Sequence, residues 1–147
     1  MIRPYTSADQ EALLQILRLN TPTYFAPEEE DDFVLYLHER LEDYYVIEQD
    51  GQVVGAGGIN YFDGHTWARL SWDLIHPAFQ GKGIGRELTL FRINKLKEMP
   101  GMQWLQVRTS QLVYPFYQKL GFELEKVEQD FWAKGIDLYQ MKMNLGA

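Results

Sequence analysis

The chain has 147 residues, 46% of them hydrophobic, with no cysteine and a formal net charge of −7 at pH 7. That length suits one domain and excludes a (β/α)₈ barrel of about 250 residues, the apolar content excludes a disordered chain, and the lack of thiols excludes disulfides, zinc–thiolate sites and cysteine nucleophiles. The acidic balance speaks against a nucleic-acid partner, which normally meets a basic footprint.

Residues 2–5 read as a short first strand. Ser7-Ala8-Asp9-Gln10 fits a capping box with Ser7 as cap and Gln10 reaching back. Leu13, Ile16 and Leu17 then give a helical stripe to about Asn20. Residues 21–27 are a loop. Pro27 followed by Glu28 to Asp32 reads as a second helix start, because proline suits a first turn and acids complement the N-terminal dipole; Phe33, Leu37 and Leu41 supply its apolar face. Residues 45–47 are a strand and Asp50-Gly51 a hairpin turn. The strand at 53–62 carries Gly55, Gly57 and Gly58, which mark a bulge or a close backbone approach. Asp63-Gly64 is a second hairpin turn into a strand at 67–75.

Pro77 ends that meander, and a glycine-rich stretch opens a helix at 84–97, broken by Pro100-Gly101. A strand at 104–108, a short helix at 112–119 and strands at 122–127 and 138–144 complete the chain. The predicted order is β-α-α-β-β-β-α-β-α-β-β in one domain, residues 1–147. The class is α+β, a mixed, mostly antiparallel sheet with flanking helices. The crossover helix implies that the strands at 67–75 and 104–108 are parallel. The strand from Leu138 is an edge candidate for pairing in a homodimer.

His38, His65 and His76 show no metal-ligand spacing, so no metal is expected. No apolar run approaches the ~20 residues of a membrane span, and Met1-Ile2-Arg3-Pro4-Tyr5 has no signal-peptide core; no membrane partner and a cytoplasmic location are expected.

The most informative stretch is Gln80-Gly81-Lys82-Gly83-Ile84-Gly85-Arg86, which follows a strand and opens a helix. Glycines there let successive N–H groups converge on an anion, and Lys82 and Arg86 add positive charge, so a phosphate or pyrophosphate is the natural ligand. The stretch fits neither the P-loop pattern nor G-x-G-x-x-G, which would need glycine at Arg86 or Leu88. A purely structural turn is the competing reading.

The segment Leu74-Ile75-His76-Pro77-Ala78-Phe79-Gln80-Gly81-Lys82-Gly83-Ile84-Gly85 resembles the Gln/Arg-x-x-Gly-x-Gly/Ala signature of the GNAT superfamily of N-acetyltransferases. Phe116-Tyr117-Gln118-Lys119-Leu120-Gly121-Phe122 resembles a second feature of that family, and the resemblance covers nearly the whole chain. It implies the GNAT (acyl-CoA N-acyltransferase) fold and acetyl-CoA as cosubstrate. The cofactor would lie where the strands ending at Ile75 and near Thr109 splay apart. Its pantetheine arm would bond to backbone at Ile75, and Gln80, Gly81, Lys82, Gly83, Ile84, Gly85 and Arg86 would wrap the pyrophosphate. Ile84 equally starts an apolar helix face continued by Leu88 and Phe91.

The resemblance also implies that Tyr117 is the general acid. A phenol of pKa ~10 stays protonated at neutral pH and can donate to a departing thiolate whose parent thiol has pKa ~8.5. Tyr117 as a plain core aromatic is the alternative. Where many members carry asparagine, seven residues before the tyrosine, this chain has Ser110, a cofactor contact or a helix cap. Where many carry a base glutamate it has Arg69, which cannot serve. Asp73, placed by alternation on the face of Ser71 and Ile75, is the candidate base, with His76 behind it.

The activity expected is acetyl transfer to a primary amine by direct attack on the thioester. A non-catalytic CoA-binding sensor and a nucleotide-binding module are the alternatives. Tyr24 and Phe25 beside Glu28 to Asp32 suggest a cationic acceptor, either a small-molecule amine or a basic peptide.

Overall fold

Alternating apolar residues and two Asp-Gly turns build most of the strands. The computed structural model describes residues 1–146. It contains β1 (Ile2–Pro4), α1 (Gln10–Leu19), α2 (Glu29–Leu35), β2 (Asp43–Gln49), β3 (Gln52–Phe62), β4 (Trp67–Ile75), α3 (Ile84–Lys97), β5 (Trp104–Thr109), α4 (Tyr114–Lys119), β6 (Glu123–Ala133) and β7 (Ile136–Asn144). This is the expected order of elements. The seven strands form one sheet in the order β1-β2-β3-β4-β5-β7-β6. It is mostly antiparallel, with β4 and β5 parallel from Trp67↔Trp104 to Leu70↔Val107, as a crossover through α3 requires. No helix among the described residues is long and apolar enough to cross a membrane.

Chain contacts resolve two compact units, the first made of Met1–Asn60 and Ser71–Lys95, the second of Tyr61–Leu70 and Leu96 onward. In the first, Leu13, Leu14, Ile16 and Leu17 of α1 and Phe33 of α2 pack with Tyr44, Val46, Ala56 and Leu74 on one face of the sheet. Ile84 opens α3 against Ile47 and Val54 on the other face. In the second, Leu105 and Val107 of β5 and Leu138 and Met141 of β7 are buried. Gln106 lies opposite Arg69 on one side and Lys142 on the other.

The glycines of β3 mark close approach. A Cβ at Gly58 would collide with the Tyr44 ring, and one at Gly57 would lie 2.6 Å from Asp73 Oδ1 and 2.8 Å from Arg92 Nη1. A register shift opposite Ile47/Glu48 adds a bulge, so both sequence expectations for this stretch hold. Asp50 (φ 52°) and Gly51 (φ 77°) form the left-handed pair that a two-residue hairpin needs.

Five expectations need correction. The first cap lies one residue earlier: the Thr6 N–H donates to Asp9 Oδ2 at 2.9 Å, because Arg3 fixes the Asp9 carboxylate with two bonds of 2.8 Å. Leu41 falls outside the helix and is exposed, since α2 passes into a wide turn at Tyr36–Arg40. β6 extends to Ala133, six residues beyond the expected end. The C-terminal strand is not an edge, because β7 pairs with both β5 and β6, and β6 is the outer strand. Finally, Trp72 adopts φ 50° within β4 and breaks the alternation there. Ser71 therefore shares a face with Asn60, to whose Oδ1 its hydroxyl donates at 2.6 Å, while Asp73 faces Arg92 of α3.

Candidate active site

The end of β4 and the start of α3 build the anion loop. Pro77–Phe79 form a single 3₁₀ turn, capped where the Ala78 N–H donates to His76 Nδ1 at 3.1 Å. The His76 ring meets Phe79 edge-on at 5.5 Å. Gly81 (φ 75°) and Gly83 (φ 82°) are both left-handed, and a Cβ on either would meet only open space. Glycine is required at both for its dihedral freedom rather than for room. Residues 80–83 form a hydrogen-bonded turn that leads into α3, and the Glu87 N–H donates to Gly83 O at 2.9 Å. Backbone N–H groups at a helix N-terminus, two left-handed glycines turning them, and exposed Lys82 and Arg86 beside them make an arrangement suited to an anion. The Ile84 side chain is buried, as an apolar helix face requires.

Asn20 holds this loop in place, although in sequence it reads only as a helix end. Its buried side-chain amide donates to Ile16 O at 2.9 Å and to Ile75 O at 3.0 Å, and its Oδ1 accepts from Gln80 Nε2 at 3.2 Å. One side chain thus ties the end of α1, the end of β4 and the first residue of the loop. Ile75, the expected pantetheine contact, already has its carbonyl engaged in this way.

Asp73 is bound to Arg92, a second residue that sequence reasoning missed. Arg92 has no exposed surface. Its Nη1 donates to Asp73 Oδ1 at 2.7 Å and to Gly58 O at 2.9 Å, its Nη2 to Asp73 Oδ2 at 3.0 Å, and its Nε to Leu88 O at 3.3 Å. The only sequence signal is an arginine on the inward side of α3, one turn after Leu88. The carboxylate expected to act as a base therefore serves a buried charge.

Ser110 and Tyr117 belong to the second unit. Ser110 is buried, its Oγ accepting the Leu112 N–H at 3.2 Å and its carbonyl those of Val113 and Tyr114. Those bonds shape the turn before α4, whose N-cap position is Val113 rather than Ser110. Tyr117 is 4% exposed, between Phe116 (5.0 Å, 83°) and Phe122 (5.6 Å, 80°).

Two of the five acids at 28–32 have structural partners. Glu30 pairs with Arg18 at 2.9 Å, and Glu29 accepts the Ala26 N–H at 2.7 Å. Burial pushes the Glu29 carboxyl up despite that bond. Phe25 stacks on Trp72 at 6.1 Å.

The profile of the Acetyltransferase (GNAT) domain family matches residues 22–145. The chain belongs to the GNAT acetyltransferase family. It is 27% identical over 166 aligned positions to an N-alpha-acetyltransferase of Sulfurisphaera tokodaii, covering 95% of this chain and 90% of the relative. It is 33% identical over 85 residues to the uncharacterized N-acetyltransferase YjgM of Escherichia coli, a match that spans 54% of this chain and only 50% of the relative. An aminoglycoside 6′-N-acetyltransferase solved with coenzyme A shares the fold at a TM-score of 0.80 and 15% identity, over 100% of this chain and 98% of that one.

Proposed function

We propose that the protein is a single-domain N-acetyltransferase that takes acetyl-CoA as cosubstrate and transfers its acetyl group directly to a primary amine. The observation that carries this reading is the glycine loop at the start of α3, where left-handed Gly81 and Gly83 turn the backbone beside exposed Lys82 and Arg86, an arrangement that suits a pyrophosphate. Family membership and the coenzyme A bound by the aminoglycoside enzyme support the choice of ligand.

In the proposed reaction the neutral amine attacks the thioester carbonyl, a C–N bond forms, and the C–S bond breaks. Tyr117 gives its phenolic proton to the departing thiolate, and the nitrogen loses its proton to solvent. Gln80 to Arg86 hold the cosubstrate's phosphates; Asn20 positions the loop through Gln80 and the strand end through Ile75. Ser110 shapes the turn that leads to Tyr117. Asp73 is placed here as the anchor of Arg92 rather than as the base.

The test is calorimetric titration with acetyl-CoA, CoA, ATP and NAD, followed by a thiol-release assay with a panel of amines. Binding of acetyl-CoA together with amine-dependent thiol release supports the reading. Binding without release makes the protein a sensor, and preference for ATP or NAD overturns the reading.

A further inference from the structure

Three cations lie around one buried amide in the second unit. Gln106 faces Arg69 across the β4–β5 register and Lys142 across the β5–β7 register, and Arg108 follows it two residues along the same face of β5. Gln106 Oε1 accepts from Arg69 Nε at 2.6 Å. Neither Arg108 nor Lys142 has an ion pair among the described residues. That is unusual in a chain with seven surplus negative charges.

Arg108 is the pivotal residue. Its guanidinium carbon lies 5.0 Å from the centre of the Phe131 ring and 5.7 Å from that of Trp132. Trp132 is itself fixed, its indole N–H donating to Thr109 O at 2.9 Å, and Phe131 meets it edge-on at 4.9 Å. Rings against a guanidinium restrict its rotamers and leave its planar donor edge available. That edge is unused: Arg108 donates no side-chain hydrogen bond among the described residues, and its Nε is sealed from solvent without an acceptor.

Asp130 and Asp137, on either side of Phe131 and Trp132 in sequence, are turned elsewhere. Asp130 Oδ1 accepts the Gly135 N–H at 2.7 Å, and Asp137 Oδ1 accepts the Asp130 N–H at 2.8 Å. Arg108 and Arg69 also repel one another; burial first, and Arg108 second, pulls the Arg69 guanidinium below its usual range. A clamped guanidinium whose two Nη groups donate to nothing among the described residues, next to a like charge, is matched by an oxyanion, which can take two parallel bonds from them.

We infer that Arg108, with Arg69 beside it, recognises a carboxylate on the acceptor, so that the preferred substrate is a small amine that also bears a carboxylate. This rests on the acetyltransferase reading and replaces the cationic acceptor suggested by Glu28 to Asp32.

The test uses the full chain, ω-amino acids of two to five carbons, and their carboxamides. In thiol-release assays the best ω-amino acid is expected to exceed its amide at least tenfold in kcat/KM. Arg108→Gln is expected to abolish that preference mainly through KM, and Arg108→Lys to retain part of it. A second readout is independent of turnover: the best ω-amino acid raises the Tm of the unmodified protein and not that of Arg108→Gln. Without ligand, Arg108→Gln is expected to melt no lower than the unmodified protein, since it removes an unsatisfied donor. Should it melt lower, Arg108→Lys carries the comparison. Preference for amides or diamines, or a carboxylate preference that survives Arg108→Gln, overturns the inference. Failure of acetyl-CoA to bind, with the carboxylate shift intact, overturns the acetyltransferase reading instead.

Discussion

Arg92 gives two hydrogen bonds to the carboxylate of Asp73, at 2.7 and 3.0 Å, from a side chain with no exposed surface. A buried cation in this position depends on its partner. Deleting one member of such a pair costs more than replacing both, because the survivor keeps its desolvation penalty.

Asp73→Asn is therefore expected to lower unfolding stability by about 3 kcal/mol, toward the low end for a buried pair because Asp73 is partly exposed. The double variant Asp73→Asn/Arg92→Met should recover part of that loss. Urea titrations of the three proteins check this, with additive losses as the contrary result. The pH–rate profile of Asp73→Asn is expected to keep its acidic limb; loss of that limb would restore Asp73 as the base.

Gly83→Asp places a side chain at φ 82° and a negative charge among the N–H donors. Acetyl-CoA affinity should fall at least tenfold, about 1.4 kcal/mol, by calorimetry. The circular dichroism spectrum should stay unchanged, because the position is exposed with nothing near its Cβ. Unaltered affinity would remove the phosphates from this loop.

Tyr117→Phe keeps the ring between Phe116 and Phe122 and removes only the hydroxyl. A general acid contributes about 10²–10⁴-fold. We expect kcat to fall within that range with acetyl-CoA affinity little changed. Pre-steady-state thiol release measures the chemical step itself, and an unaltered rate there would leave Tyr117 as packing alone.

Acid sensitivity is expected to centre on Asp9. Hydrogen bonds from Arg3 hold its carboxyl below the ordinary value of 3.8, outweighing the cost of burial. The native state thus binds this proton less tightly than the unfolded chain. The resulting stabilisation is complete above pH ~4 and is lost as pH falls through the lower native value. Glu29, pushed up by burial from 4.5, acts with the opposite sign and adds stability as pH falls toward that value. Denaturant titrations at pH 7, 4.5, 3.5 and 2.5 should show little loss to 4.5 and a steep loss below 4. Asp9→Asn should be less stable at pH 7 and flatter below 4.

Element order was legible because its signals are local. Asp50-Gly51, the period-two runs and the glycines that open α3 act through their own dihedrals and nearest neighbours. The anion loop was legible for the same reason. Asn20 and Arg92 were hidden because their partners lie 55 and 19 positions away, at Ile75 and Asp73. Chain order gives no hint that β7 inserts between β5 and β6, since either strand could pair with β5. The positive φ at Trp72 escaped notice because tryptophan carries none of the usual signals for it. That single residue decided which face Asp73 occupies.

The glycines of β3 also bear on the order in which the molecule assembles. Opposite them in the register stand Ile47, Tyr45 and Tyr44, facing Gly55, Gly57 and Gly58 in turn. The β2–β3 hairpin has a strong turn, yet three of its cross-strand pairs have a side chain on one strand only, and such pairs are the usual source of cohesion in a sheet. Glycine also gives up more chain freedom than any other residue on ordering. The turn can start this hairpin, but the missing side-chain contacts must come from elsewhere: Tyr36 over Gly58, and the Arg92 guanidinium over Gly57. β3 is accordingly expected to consolidate late, held by Tyr36 and Arg92 reaching it from both faces. Substitutions at its packing partners should accelerate unfolding more than they slow refolding.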